Sequence, residues 1–307
     1  MLHNEFRWRA FSRQEAVLVL ATVVWGATFL IIHIAVQYSG PWFFVGMRFV
    51  TAGLISALLF VRILKGLTLR EIWAGVAIGV MIFLGYGLQT AGLQTLNSST
   101  SAFISALYVP LVPLLQWVVF RKRPGMLTWV GVTLAFIGLI LLADPGSVGF
   151  TFGTGEIVTI ASTVPIALEI ILIGWFAGKV HLGRVTVVQL LVAGFLGFLT
   201  VPLADEHVPE FSWVWVMASV GLGLASCMIQ LAMNWAQKSV SPTKATIIYA
   251  GEPVWAALIG RIAGDRLPPV AIVGAMLIVA GSLASELRPR RRRKTVASTD
   301  VLENAGL

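Results

Sequence analysis

Ten runs of mostly apolar residues, each near the length of a bilayer crossing, set the limits on what this sequence can fold into. They cover 16–37, 42–61, 72–95, 100–120, 126–143, 155–178, 185–203, 211–236, 243–263 and 268–286. About 20 apolar residues in helical form cross roughly 30 Å of hydrocarbon. The fold class read from these runs is therefore an all-α polytopic membrane protein with ten transmembrane helices. Composition agrees, because 57% of the residues are hydrophobic and only 12% are charged. A soluble domain carries about 25% charged residues, so a soluble enzyme, a disordered chain and a nucleic-acid-binding domain are all poor fits. The first run is too long, and too closely followed by others, to be a cleaved signal peptide.

The cations give the runs an orientation. Arg7, Arg9 and Arg13 precede the first run, and Arg62, Lys65 and Arg70 separate the second from the third. Arg121, Lys122 and Arg123 follow the fourth, Lys179 and Arg184 the sixth, and Lys238 the eighth. A basic cluster from Arg288 to Lys294 follows the tenth. Eighteen of the 22 Lys and Arg thus fall on one side of an alternating ten-span path. The opposite loops hold only Arg266, with Arg261 close by. Such a bias places both termini in the cytoplasm. The net charge of +8 then reads as a topology signal and implies no nucleic-acid partner. Residues 1–15 form a cytoplasmic N-terminal segment, and 287–307 a basic cytoplasmic tail expected to be disordered.

Shifting the sequence by 143 residues aligns parts of its two halves. Pro110 falls on Pro253, Arg123 on Arg266, Gln94 on Gln237 and Thr100 on Thr243. Val130-Gly131 falls on Val273-Gly274, and Gly138 on Gly281. Residues 16–143 and 155–286 then form two repeats of five helices each. An odd number of spans turns the second copy upside down. Inverted repeats are a common architecture of secondary transporters, in which the halves exchange conformations to alternate access.

Several short motifs carry a family resemblance. Trp25-Gly26-Ala27-Thr28-Phe29, Arg48, and Gly251-Glu252-Pro253-Val254-Trp255-Ala256-Ala257-Leu258 followed by Gly264-Asp265-Arg266-Leu267 all bear on it. Together they resemble the EamA branch of the drug/metabolite transporter superfamily, over nearly the whole chain. Asp265 stands where that family usually has Glu, and Arg121-Lys122-Arg123 replaces the corresponding acidic element of the first half. In size, span number and aromatic interior the chain is similar to the family's aromatic amino-acid exporters. The resemblance implies export as the direction of transport.

Ionisable groups at membrane depth cost a few kcal/mol each, so each asks for a reason. Arg48, Glu169 and Glu252 lie near the middle of the second, sixth and ninth runs. Arg48 reads as a structural charge, paired with a carboxylate or with backbone carbonyls. Pro110 and Pro253 are corresponding helix interruptions, a recognised pointer to a transport site, and Pro165 is a third candidate break or gate. Near them lie Ser105 and Tyr108, then Gln230 and Asn234 at helical spacing with Cys227. Tyr86 and Gln89 on the third run, and Tyr249 beside Glu252, complete the polar set. Each amide or hydroxyl alone is explained by an interhelical hydrogen bond. Five runs offering such groups at comparable depth are better explained by a central hydrated cavity. Most tryptophans suit an interfacial belt: Trp42, Trp213 and Trp215 at outer ends, Trp73, Trp129, Trp175 and Trp235 at inner ends. Trp25 and Trp255 lie deep and are candidates for a ring-stacking wall.

The function read from this pattern is a secondary transporter of amino acids with bulky apolar or aromatic side chains, or of similar small metabolites, and the family resemblance implies that it exports them. Glu252 or Glu169 would accept the ammonium, and Gln89, Gln230, Asn234 or a helix terminus would face the carboxylate. Whether protons drive transport is left open. The partners are a small-molecule substrate and the lipid bilayer, with the bacterial inner membrane as the location. A broad-specificity drug or metabolite exporter is the alternative within the class, and an intramembrane enzyme the alternative outside it. No metal or cofactor is expected: the single cysteine and four scattered histidines offer no ligand cluster, and no phosphate-binding loop is present.

Overall fold

The computed structural model describes residues 12–121, 126–142, 153–264 and 269–286. Twelve α-helices account for nearly all of them: α1 Arg13–Ala35, α2 Pro41–Leu64, α3 Leu69–Gly92, α4 Ser98–Ser105, α5 Tyr108–Phe120 and α6 Met126–Leu142 form a first series. A second comprises α7 Thr154–Phe176, α8 Leu182–Thr200, α9 Trp213–Ala236, α10 Pro242–Tyr249, α11 Glu252–Ile262 and α12 Pro269–Glu286. The helices start where local chemistry satisfies the first free amides. Ser12 with Glu15, and Thr68 with Glu71, form reciprocal capping boxes at α1 and α3. The Asn97 side chain accepts from the Thr100 amide at α4. Pro41 opens α2, where the missing N–H is no loss.

Among the described residues, seven helical stretches are long and apolar enough to cross a membrane. They are α1, α2, α3, α4 with α5, α7, α8 and α9. Large apolar side chains such as Leu20, Leu58, Val118, Phe195 and Met217 point outward from them, which suits lipid and would be costly in water. The remaining three runs take other forms. The fifth and tenth become α6 and α12, with shorter apolar stretches at Trp129–Gly138 and Ile272–Gly281. The ninth is divided into α10 and α11. The fourth run is likewise divided, into α4 and α5, across Ala106 and Leu107. The polar loop 144–153, the Asp265-Arg266-Leu267 element, Lys122 and Arg123, and both terminal segments lie wholly or mainly outside the described residues.

The two series repeat each other. α7 to α12 begin 141 to 144 residues after their counterparts, from Arg13 and Thr154 through to Met126 and Pro269. Both divided runs break at matching places in this register. The counterparts α2 and α8 pack closely and run antiparallel, because Gly46 meets Phe198, Gly53 meets Leu191, and Gly183 meets Phe60. A β-carbon on Gly197 would stand 2.7 Å from the Gly46 amide nitrogen, so only glycine allows this approach.

Each of these helices is capped by a carboxylate that follows the other. Glu206, after α8, accepts from the Trp42 and Phe43 amides at 3.2 and 3.1 Å. Glu71, after α2, accepts from the His181 amide at 3.0 Å and pairs with Arg184 at 3.3 Å. The counterparts α6 and α12 pack chiefly on one another, with Gly138 against the Gly274 carbonyl. The Gly75/Gly79 pair is a contact inside the subunit, set against Val188, Gln189 and Val192 of α8.

Candidate functional site

The two breaks meet near the centre of the molecule. Pro110 and Pro253 sit in the first turns of α5 and α11, just past the breaks. A proline there sacrifices no helical hydrogen bond, whereas one turn later it would. The break separates Tyr249, which ends α10, from Glu252, which begins α11, so a continuous helical face through both is not formed. Tyr108, opening α5, donates its hydroxyl hydrogen to Glu252 Oε2 at 3.0 Å, which joins the two series across their matching breaks. Pro165 differs, since α7 runs through it without interruption. No break is therefore seen at that proline.

An aromatic cluster adjoins this link. The Trp25 ring stacks on Tyr86 with centroids 6.2 Å apart, and it meets the edge of Tyr249 at 5.6 Å. Phe49 packs edge-on against Tyr86 at 5.2 Å. All four are buried and belong to the main apolar core. Tyr86 also lies within electrostatic reach of Arg48, Glu169, Glu252 and Tyr249. Trp255 does not join the rings. Its Cβ packs against α1 at Gly26, where an added β-carbon would stand 2.6 Å away, and its side chain is only half-buried.

Glu169, on α7, anchors a chain of amides. Gln230 donates to Glu169 Oε1 at 2.7 Å, and Gln189 donates to Gln230 Oε1 at 2.8 Å. Asn234 reaches the Gln230 carbonyl at 2.9 Å and lies 3.3 Å from both Gln189 Oε1 and Thr186 Oγ1. Gln89 is committed to Ser105 at 2.9 Å. The three amides expected to face a substrate carboxylate are thus tied to protein acceptors. By contrast, Glu169 Oε2 is buried and has no hydrogen-bond partner among the described residues, and the buried Tyr249 hydroxyl makes no hydrogen bond within geometric limits there, although it faces the Gln237 amide, which is unpaired in the same way. In native proteins such an orphaned polar atom calls for an explanation.

Arg48 is fully buried, yet the expected carboxylate partner is missing. The ion pairs among the described residues are Arg184 with Glu71 and Lys244 with Glu15, and neither involves it. Instead its Nε donates to the Ser226 hydroxyl at 2.8 Å, and the guanidinium lies 5.2 Å from the Phe49 ring centroid and 5.3 Å from that of Tyr86. Cation–π contact of this kind is worth about 2 kcal/mol or more when desolvated. That offsets much of the roughly 2.5–3.5 kcal/mol that insertion scales assign to a central charge.

Sequence reading passed over Gln189, Thr186 and Ser226, although Gln189 is the only amide in its apolar run. That isolation was a usable signal. It also left Lys244 unassigned, whereas its ammonium pairs with Glu15 and thereby ties α10 to α1. Trp215 departs from the expected outward belt, since it is buried against Phe43 at 5.3 Å and its indole donates to the Glu210 carbonyl.

With two helix series and a polar site enclosed between them, the chain can be compared with known proteins. Residues 14–143 and 153–285 each match the EamA-like transporter family. The chain belongs to that family. It is a multi-pass membrane transporter built from a duplicated EamA unit, and not an enzyme. An uncharacterized transporter of Archaeoglobus fulgidus is 28% identical, over 88% of this chain and 85% of its own length. The uncharacterized inner membrane transporter YedA of Escherichia coli K12 is also 28% identical, over 89% and 90%. YrdR of Bacillus subtilis, another uncharacterized transporter, is 21% identical over 89% and 91%. None of these names states a substrate. A crystal structure sharing 18% identity superposes on this EamA protein with a TM-score of 0.65, covering 92% of this chain and 99% of that one, a likeness of fold alone.

Proposed function

We propose that this EamA transporter carries amino acids with bulky apolar or aromatic side chains out of the cell across a bacterial cytoplasmic membrane. In this reading both termini are cytoplasmic and the two series form inverted five-helix repeats around a midplane site. The cation bias supports the orientation, and the antiparallel pairing of α2 with α8 supports the inversion. The observation that carries the substrate class is the pair of uncommitted polar atoms, Glu169 Oε2 and the Tyr249 hydroxyl, beside the Trp25–Tyr86–Tyr249 cluster. A carboxylate and a hydroxyl are hydrogen-bond acceptors for an ammonium, and ring faces attract that cation while accommodating an apolar side chain. The two polar groups and the Tyr249 ring come from the second series and the Trp25 and Tyr86 rings from the first, so movement of one series against the other opens the site alternately to each side.

The test is efflux from liposomes loaded with labelled aromatic, branched and polar amino acids. Stimulated efflux of phenylalanine, tryptophan or leucine is expected, and its lack for every amino acid overturns the assignment. Counterflow with and without a pH gradient separates proton antiport from facilitated diffusion. Glu252→Gln keeps an acceptor for Tyr108, so the protein is expected to fold while flux and its pH dependence change. Unchanged values would make Glu252 a structural residue.

A further inference from the structure

Arg48 holds more hydrogen-bonding capacity than the protein uses. A guanidinium carries five N–H donors in a rigid fork shaped for carboxylates. Among the described residues only Nε is engaged, by the Ser226 hydroxyl at 2.8 Å. Among the described residues no carboxylate comes within 4 Å of it, and the side chain is 1% exposed. The Ser226 bond and the Phe49 and Tyr86 rings fix the plane of the fork without occupying its Nη groups. A purely structural arginine at this depth would satisfy those donors with a carboxylate or with carbonyls, because unpaired donors in the membrane interior are costly.

We propose that Arg48 is the anchor for a substrate carboxylate, so that the transported class is organic acids and zwitterions bearing an aryl or bulky apolar group. The inference rests on the proposed transport reading and deepens it. The rings connect the fork to the second series: Tyr86 lies under the Arg48 guanidinium and stacks on Trp25, which meets the edge of Tyr249. A zwitterion laid along the rings places its carboxylate at the Arg48 fork and its ammonium toward Glu169 Oε2. The amide nitrogens of Gln89, Gln230 and Asn234 each already donate to a protein acceptor, whereas the two Nη groups of Arg48 donate to none among the described residues. Arg48 is thus reassigned from a fold-locking charge to a substrate-binding one.

Three probes of one shape separate the charges: phenylalanine, 3-phenylpropionate and phenethylamine. Thermal stabilisation of the purified protein is measured with each, for the wild type, Arg48→Gln and Arg48→Lys. Wild type is expected to respond to both carboxylates, and Arg48→Gln to lose the 3-phenylpropionate response with at least a ten-fold weaker apparent Kd. Arg48→Lys keeps the charge but not the fork and is expected to fall between. An equal response in Arg48→Gln, or a wild type that responds to neither carboxylate, overturns the proposal. If Arg48→Gln does not fold, competition on the wild type decides: 3-phenylpropionate displaces labelled phenylalanine, and failure to displace it sinks the idea. Liposome flux distinguishes the two readings. Phenylalanine carried equally by wild type and Arg48→Gln removes the anchor and leaves the transporter reading standing. Loss of phenylalanine flux in the wild type, with Arg48-dependent 3-phenylpropionate binding, removes the amino-acid reading and leaves the anchor.

Discussion

Tyr108 and Glu252 are hydrogen-bonded at 3.0 Å, so the first turns of the counterpart helices α5 and α11 are held together just past their breaks. Both side chains are buried. A double-mutant cycle of Tyr108→Phe and Glu252→Met should report a coupling of about 0.6–1.7 kcal/mol, the range known for interhelical hydrogen bonds in lipid. Equilibrium unfolding in mixed detergent measures it. Strictly additive effects would show that the contact adds nothing to the junction.

The amide chain on Glu169 predicts a larger response. Gln230→Met removes the donor to Glu169 Oε1 and the acceptor of Gln189 together. Leaving buried groups unpaired costs about 1–3 kcal/mol each, and more for a charged one. Adding Glu169→Gln to Gln230→Met is expected to recover part of the loss, because a buried neutral amide is cheaper to strand than a carboxylate. Unfolding midpoints of the two variants settle it. A double variant less stable than Gln230→Met alone contradicts this account of the network.

How far the sequence foretold this arrangement differs from one feature to the next. The apolar runs and the 143-residue offset are long-range periodic signals, and they led directly to the paired helix series. The breaks in the fourth and ninth runs were also legible, since Pro110 and Pro253 cannot sit in a helix interior without loss. Pro165 carries the same local signal yet lies in an unbroken α7, so a proline alone does not tell a break from a continuous helix. The amide chain could be read only as separate polar residues, because which of Gln189, Gln230 and Asn234 meet depends on how α8 and α9 rotate. Arg48 illustrates the limit well. Its burial followed from its position, but its facing partner is a serine 178 residues away, and no local spacing encodes that contact.

The reciprocal caps on α2 and α8 predict site-selective amide exchange. Glu206→Ala removes the acceptor of the Trp42 and Phe43 amides, so those two are expected to exchange faster while His181 is unaffected. Glu71→Ala is expected to do the reverse, with a further loss at the start of α3, where the same carboxylate accepts from the Thr68 amide at 2.8 Å. Loss of a cap costs about 0.5–2 kcal/mol, enough to be seen as faster local opening. Exchange that rises uniformly over the chain in either variant would mean that the carboxylates act on global stability and not on their helix ends.

Gly26 offers the sharpest steric prediction, since it sets how closely α1 approaches α11. A β-carbon there would stand 2.6 Å from Trp255 Cβ, 2.9 Å from the Ala256 nitrogen and 3.0 Å from the Glu252 carbonyl oxygen. Two of these three atoms are backbone, so no rotamer change relieves them, and the helices have to separate. Overpacking of this kind costs about 1–3 kcal/mol. Gly26→Ala is therefore expected to lower the unfolding midpoint and, by shifting Glu252 away from Tyr108, to reduce flux as well. Gly221 is the matched control, because it lies in helix α9 with nothing within 4 Å of its added β-carbon. Gly221→Ala is expected to be neutral or to gain up to about 1 kcal/mol from helix propensity alone. Equal effects at the two glycines would show that α1 does not depend on this close approach, and that the position of Glu252 is set by the α10–α11 break itself.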